Sequence, residues 1–118
     1  MQYALLIYNP DDEVAQQAQR PIDPAIAAVL ARPEVTGWIR LHAAGSATTV
    51  QHQDGATLLT DGPFIDSKEF LGGLILVEAG NLDEALAVAG ELTELQSSRV
   101  VAIEVRPVRG QDKTDSGA

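Results

Sequence analysis

No cysteine occurs in the 118 residues, which excludes a disulfide framework, a thiolate metal site and a cysteine nucleophile together. Aromatic residues make up only 4%, so a core has to be assembled from Ala, Val, Leu and Ile. Cations are scarce: 8 Lys and Arg stand against 17 Asp and Glu, for a formal net charge of −9 and a pI near 4.4. Phosphate-rich partners are repelled by such a surface, so no nucleic acid is expected, and the acidity reads as a solubility device. Apolar runs are short. None approaches the roughly 18 to 20 residues of a membrane span, and MQYALLIYN lacks the basic start of a signal peptide. The expected compartment is the cytoplasm, with no membrane partner. Neither GxGxxG nor GxxxxGK(S/T) is present, so no loop cradles a nucleotide phosphate. His42 and His52 are separated by ten residues without a carboxylate cluster, which is poor ligand spacing. No metal and no cofactor are expected.

What is present fits one domain. A hydrophobic fraction of 45% is ordinary for a chain with a buried core, and a chain of this length buries roughly two-thirds of its unfolded surface. Gln2 to Tyr8 reads as an apolar strand stopped by Asn9-Pro10. Asp11, Asp12 and Glu13 suit the start of a helix, which Pro21 and Pro24 interrupt. Asp23 caps a second helix with Pro24 at its first position and Ile26, Val29 and Leu30 on one face. Short strands follow at Gly37 to His42, Ala47 to His52 and Ala56 to Thr60, and Asp54-Gly55 signals a hairpin between the last two. Leu74 to Glu78 is a further strand. Asn81 or Asp83 caps a helix whose apolar positions Leu82, Ala85, Leu86, Ala89 and Leu92 recur at helical spacing. Val100 to Val108 is the last strand, with Ile103, Val105 and Pro107 on one side and Glu104 and Arg106 on the other. The polar stretch from residue 109 to 118 reads as a disordered tail.

This order, with few helices and a hairpin between them, favours an α+β fold: an antiparallel ferredoxin-like sheet, of the dimeric α/β-barrel type, with helices on one face. The uncovered sheet face is expected to be closed by a second copy of the chain, making a homodimer.

The chemistry-bearing segment is Asp61 to Gly73, DGPFIDSKEFLGG. Gly62-Pro63 sets a turn: Pro fixes φ, and Gly allows positive φ or close approach. Asp61 can accept from backbone N–H groups two residues on, as an Asx turn. Ser67, Lys68 and Glu69 place a donor, a cation and a carboxylate together, and Gly72-Gly73 reopens the chain into a strand. Asp61 and Glu69 are candidate acid–base groups, with Lys68, Gly62, Pro63 and Phe64 as substrate contacts. The alternative is a self-satisfied turn in which Asp61 bonds its own loop and Glu69 pairs with Lys68. Alternation puts His42 on the face of Trp38 and Arg40, as a general base or as a strand-end side chain beside a loop. Arg106 is a clamp for a carboxylate or enolate oxygen, or the ion-pair partner of Glu104. Trp38 and Tyr8 read as core or interface packing.

Thr60-Asp61-Gly62-Pro63-Phe64, Asp66, Lys68-Glu69 and Leu71-Gly72-Gly73 resemble, in order, the DGPF group of the YCII-related family. The opening MQYALLIY, ATTV at Ala47 to Val50, LDEALAVA and EVRPV at Glu104 to Val108 are similar to it too, so the resemblance spans residues 1 to 108. It implies a ferredoxin-like α+β fold, usually dimeric, with a cleft near the DGPF loop. The wider family includes small enzymes, among them a dehydrochlorinase of a chlorinated hydroxyquinol, that use a His and Asp pair. DGPF genes also accompany sigma factors of the extracytoplasmic type, which implies a regulatory alternative. The chain departs from the group in three ways. Asp66 stands where Glu is usual, Pro21 and Pro24 interrupt a helix that is usually continuous, and no residue carries over the wider family's catalytic His. The function expected is therefore a cofactor-independent small-molecule enzyme of lyase or isomerase type, or else a non-catalytic dimeric module.

Overall fold

The alternation of β1, Gln2–Pro10, decides which way the molecule faces. Tyr3, Leu5 and Asn9 are buried on one side, and Ala4, Leu6 and Tyr8 fall on the other. The computed structural model describes residues 1–10, 22–65, 68–96, 100 and 102–111. The expected first helix from Asp11, together with Asp66, Ser67 and most of the polar tail, lies outside those residues.

α1, Pro24–Leu30, starts as the sequence predicts, with Asp23 Oδ1 accepting from the Ala25 N–H at 2.8 Å and Pro24 in the first turn. It buries Ile26 and Val29. β2, Val35–Arg40, follows, then a single 3₁₀ turn at Ala44–Ser46. β3, Thr48–Gln53, and β4, Ala56–Asp61, form the expected hairpin. Its turn residues Asp54 (φ 52°) and Gly55 (φ 78°) both adopt the left-handed conformation that matches strand twist. β5, Glu69–Glu78, leads to α2, Leu82–Leu95, and to β6, Ala102–Pro107.

The main sheet has the order β2-β5-β1-β6 with every pair antiparallel, the ferredoxin-like arrangement; β3 and β4 form a separate two-stranded sheet inserted between β2 and β5. Both described helices pack on the side of Tyr3, Leu5, Ile75 and Val77, where Ile26, Val29, Ala85, Val88, Ala89 and Leu92 complete the core. The fold class read from the element order is the observed one.

Two differences have physical causes. β5 begins at Glu69 rather than Leu74, because Gly72 is absorbed as a bulge between the pairs Ile7–Gly73 and Tyr8–Leu71, so the ladder runs on through the glycines. Gly73 is needed for another reason: a Cβ there would lie 2.5 Å from the Ile39 carbonyl oxygen of β2. In α2, Val88 replaces Leu86 on the buried stripe, while Leu82 and Leu86 stay about half exposed. The stripe follows 85, 88, 89 and 92, one helical face. Of the possible caps, Asn81 takes the role and accepts from the Glu84 N–H at 3.0 Å.

A charged clasp ties the loop after α1 to α2. Arg32 donates two parallel hydrogen bonds to Glu91, Nη1 to Oε1 at 3.1 Å and Nη2 to Oε2 at 2.6 Å. This fork holds the Arg32 guanidinium above and the Glu91 carboxyl below their ordinary pKa values, against a smaller opposing effect of burial.

Candidate functional site

Two loops face each other beside the end of β1. The first runs from Leu41 to Ala47 and is stapled at both ends. Leu41 N–H donates to the Gly72 carbonyl at 2.9 Å, exploiting the acceptor the bulge leaves free. The Ser46 hydroxyl and amide both donate to the Ala43 carbonyl, at 2.7 and 2.9 Å. The second loop is the start of the DGPF segment. Gly62 there has φ 101°, a conformation open to glycine and strained for other residues. Its N–H donates to the Ala47 carbonyl at 2.7 Å, and its carbonyl accepts from Thr49 Oγ1 at 2.7 Å. Gly62 thus ties the two loops together.

Between them lies a cavity of about 710 Å³, within the range of small-molecule sites. Leu41, Pro63, Phe64, Ile65, Phe70 and Leu71 give it an apolar wall, with Ala43, Ala44 and Ala47 closing one side. Tyr8, His42, Ser46 and Glu69 are its polar groups. The register places them: Pro10, Asn9 and Tyr8 pair with Glu69, Phe70 and Leu71, so the first residues of β5 sit against the last of β1. An apolar chamber with a few convergent polar groups can bind a small molecule and move a proton on it.

Of the residues singled out from the sequence, His42, Pro63, Phe64 and Glu69 come together on this cavity. Gly62 shapes it from the backbone. Asp61, Lys68 and Arg106 fall outside its lining. The Asp61 side chain is exposed and has no hydrogen-bond or ion-pair partner among the described residues. The Asx turn expected of it is absent there, since Pro63, two residues on, has no N–H to give. Lys68 is exposed. Arg106 lies on the open sheet face, its Nε 3.9 Å from Glu104 Oε2, the weaker of the roles open to it. His42 is not a face-mate of Trp38 and Arg40: β2 ends at Arg40, so strand alternation no longer sets its direction. The Arg40 guanidinium instead stacks 4.5 Å from the Trp38 ring, and both line a small separate cavity with Asn9 and Gly73.

The sequence reading missed Tyr8, Leu41, Ser46, Phe70 and Leu71. Tyr8 is more than packing, since it lines the cavity and its hydroxyl donates to Glu104 Oε1 at 3.3 Å. The signal was available in part. Phe70 and Leu71 sit inside the singled-out segment, but only the bulge at Gly72 brings Leu71 opposite Tyr8. Among the described residues no group of three or more His, Asp or Glu is placed to hold a metal ion, and no helix is long and apolar enough to cross a membrane.

A family model for the YCII-related domain matches residues 1–109. The uncharacterized protein R00369 of Rhizobium meliloti (strain 1021) is 34% identical over 116 residues, 92% of each chain.

Proposed function

The chain belongs to the YCII-related family, and we propose that it binds a small, largely apolar molecule in the cavity beside the DGPF loop and acts on it by proton transfer. One observation carries this reading: His42, from the loop after β2, and Glu69, at the start of β5, line one largely apolar cavity. In an isomerase step His42 takes a proton from one carbon, and a proton returns to the neighbouring carbon as the double bond shifts. In a lyase step the same removal forms the double bond while the leaving group departs with its electron pair. Glu69 returns the proton or receives it. Pro63 and Phe64 form the substrate wall, Gly62 holds it, and neither reaction needs a cofactor. Lys68, Asp61 and Arg106 are left as surface charges without a part in the chemistry.

A thermal-shift screen of neutral ring compounds tests this. Hits are expected to raise the midpoint of the wild type and of His42→Gln alike, while Phe70→Ala loses the shift; turnover of a hit is expected to vanish in His42→Gln. A screen without hits, or hits indifferent to Phe70→Ala, would contradict it.

The working unit we propose is a homodimer in the cytoplasm. No described helix packs on the sheet face carrying Leu6, Leu74 and Leu76, and an isolated two-stranded hairpin is marginal in water. Val50 and Leu59, paired on one face of the hairpin, and Phe64 and Ile65 are exposed by 63% to 72%, apolar surface of the kind that marks a protein contact. The same patch supports a second reading, a non-catalytic module that contacts a protein such as a sigma factor of the extracytoplasmic type. Co-sedimentation with such a factor, alongside a failed ligand screen, would favour it.

A further inference from the structure

Two walls of the cavity are the two legs of the β3–β4 hairpin. Ala43, Ala44, Ser46 and Ala47 lead into β3, and Pro63, Phe64 and Ile65 follow β4 after Gly62. The legs are tied across by the Gly62 N–H on the Ala47 carbonyl and by Thr49 Oγ1 on the Gly62 carbonyl, each at 2.7 Å. The first leg is moored to the main sheet by the Leu41 N–H on the Gly72 carbonyl. Beyond this root little holds the hairpin. All six residues of β4 and five of the six of β3 are exposed, with Thr49 half-buried. Among the described residues the two strands pair with each other and with no strand of the main sheet. A two-stranded ribbon without a buried face is marginal in water. Exposed ladders with few buried apolar side chains are the segments that open locally before the whole molecule unfolds.

On the premise that the cavity is the binding site, we propose that the hairpin is its moving wall, which opens locally to admit a ligand and is held shut by the ligand between its legs. Opening parts Ala43 to Ala47 from Pro63 to Ile65, so the open form loses its grip on the ligand. A bound ligand therefore makes opening rarer, by one plus the ratio of free ligand to Kd, or about tenfold at ten times Kd. The coupling is reciprocal: whatever steadies the hairpin, a second copy on Val50 and Leu59 included, tightens ligand binding.

The test is amide hydrogen exchange of the full chain at constant protein concentration, with and without 2-naphthylmethanol, a neutral ring compound, at about ten times its Kd. Without the probe, amides of β3 and β4 are expected to exchange faster than those around Leu5 and Ile75 in the core. With it, both sets are expected to slow about tenfold, and Phe70→Ala to lose the slowing. Hairpin amides as slow as the core without the probe would overturn the moving wall. So would hairpin amides that keep their rate while core amides slow, because the hairpin then opens without releasing the probe. If that core slowing is lost in Phe70→Ala, the cavity stands as the binding site. A probe that slows neither set, or slows both equally in Phe70→Ala, would overturn the cavity as well.

Discussion

Single residues separate what shapes the site from what merely sits beside it. Gly73 and Asp61 are both prominent in the sequence, and the structure gives them opposite weight. A methyl at Gly73 meets the Ile39 carbonyl oxygen at 2.5 Å, so Gly73→Ala must part β2 from β5. A loss of about 2 to 3 kcal/mol in urea unfolding is expected, in line with other overpacked sites. Asp61→Asn, at an exposed side chain with no partner among the described residues, is expected to change stability by less than about 0.5 kcal/mol and leave ligand affinity untouched. A large loss for Asp61→Asn would return it to a structural or functional role. At this scale the sequence was a partial guide. Residue type points to His42 and Glu69 because their chemistry is written in their side chains. It says nothing of Tyr8 or Leu71, which reach the cavity only because an extra residue at Gly72 shifts the register. The Asp61 turn failed on a detail that was visible, the missing N–H of Pro63.

The elements were the most legible level. Asp23-Pro24, Asn81 and Asp54-Gly55 are local signals whose physics is complete within a few residues, and each acts where it was read. Boundaries that depend on pairing were less so. β5 gains Glu69 to Gly73 from its partner β1, which no local pattern of two glycines announces. The link between α2 and the loop after α1 is likewise long-range: the Arg32–Glu91 fork. Its pH dependence follows from the lowered Glu91 carboxyl. That stabilisation is present above the carboxyl's unfolded pKa and is lost as pH falls through the lower folded value. The pair is about half exposed, so the effect is small and weakens with salt. Thermal midpoints measured across the acid range in low salt are expected to fall less steeply in Glu91→Gln than in the wild type. Parallel curves would show that the fork adds nothing.

On the scale of the whole molecule, the order of elements was enough for the fold class, because strand, helix, strands, helix, strand leaves few ways to bury apolar faces. The hairpin's detachment from the main sheet was not readable. Its alternating runs suit an extra strand of that sheet as well as they suit a separate arm. The structure leaves Leu59 70% and Val50 63% exposed, directly opposite each other in the ladder. This pair sits at the centre of the surface proposed to meet a second copy. Light scattering of the wild type at micromolar concentration is expected to give twice the 12.5 kDa chain mass, and Leu59→Asp to give the chain mass itself with its helical circular dichroism retained. A monomeric wild type would end the dimer proposal.

On the proposed function, the cavity between the Leu41–Ala47 loop and the DGPF loop is where this protein meets its ligand. Titration of 2-naphthylmethanol into the isotopically labelled chain, followed by amide chemical shifts, tests it most directly. Shifts confined to residues 41–47, 62, 64–65 and 69–71 are predicted, with the His42 ring moving along the same binding curve. Shifts centred on Arg40 and Trp38, or on the open sheet face around Arg106, would contradict it.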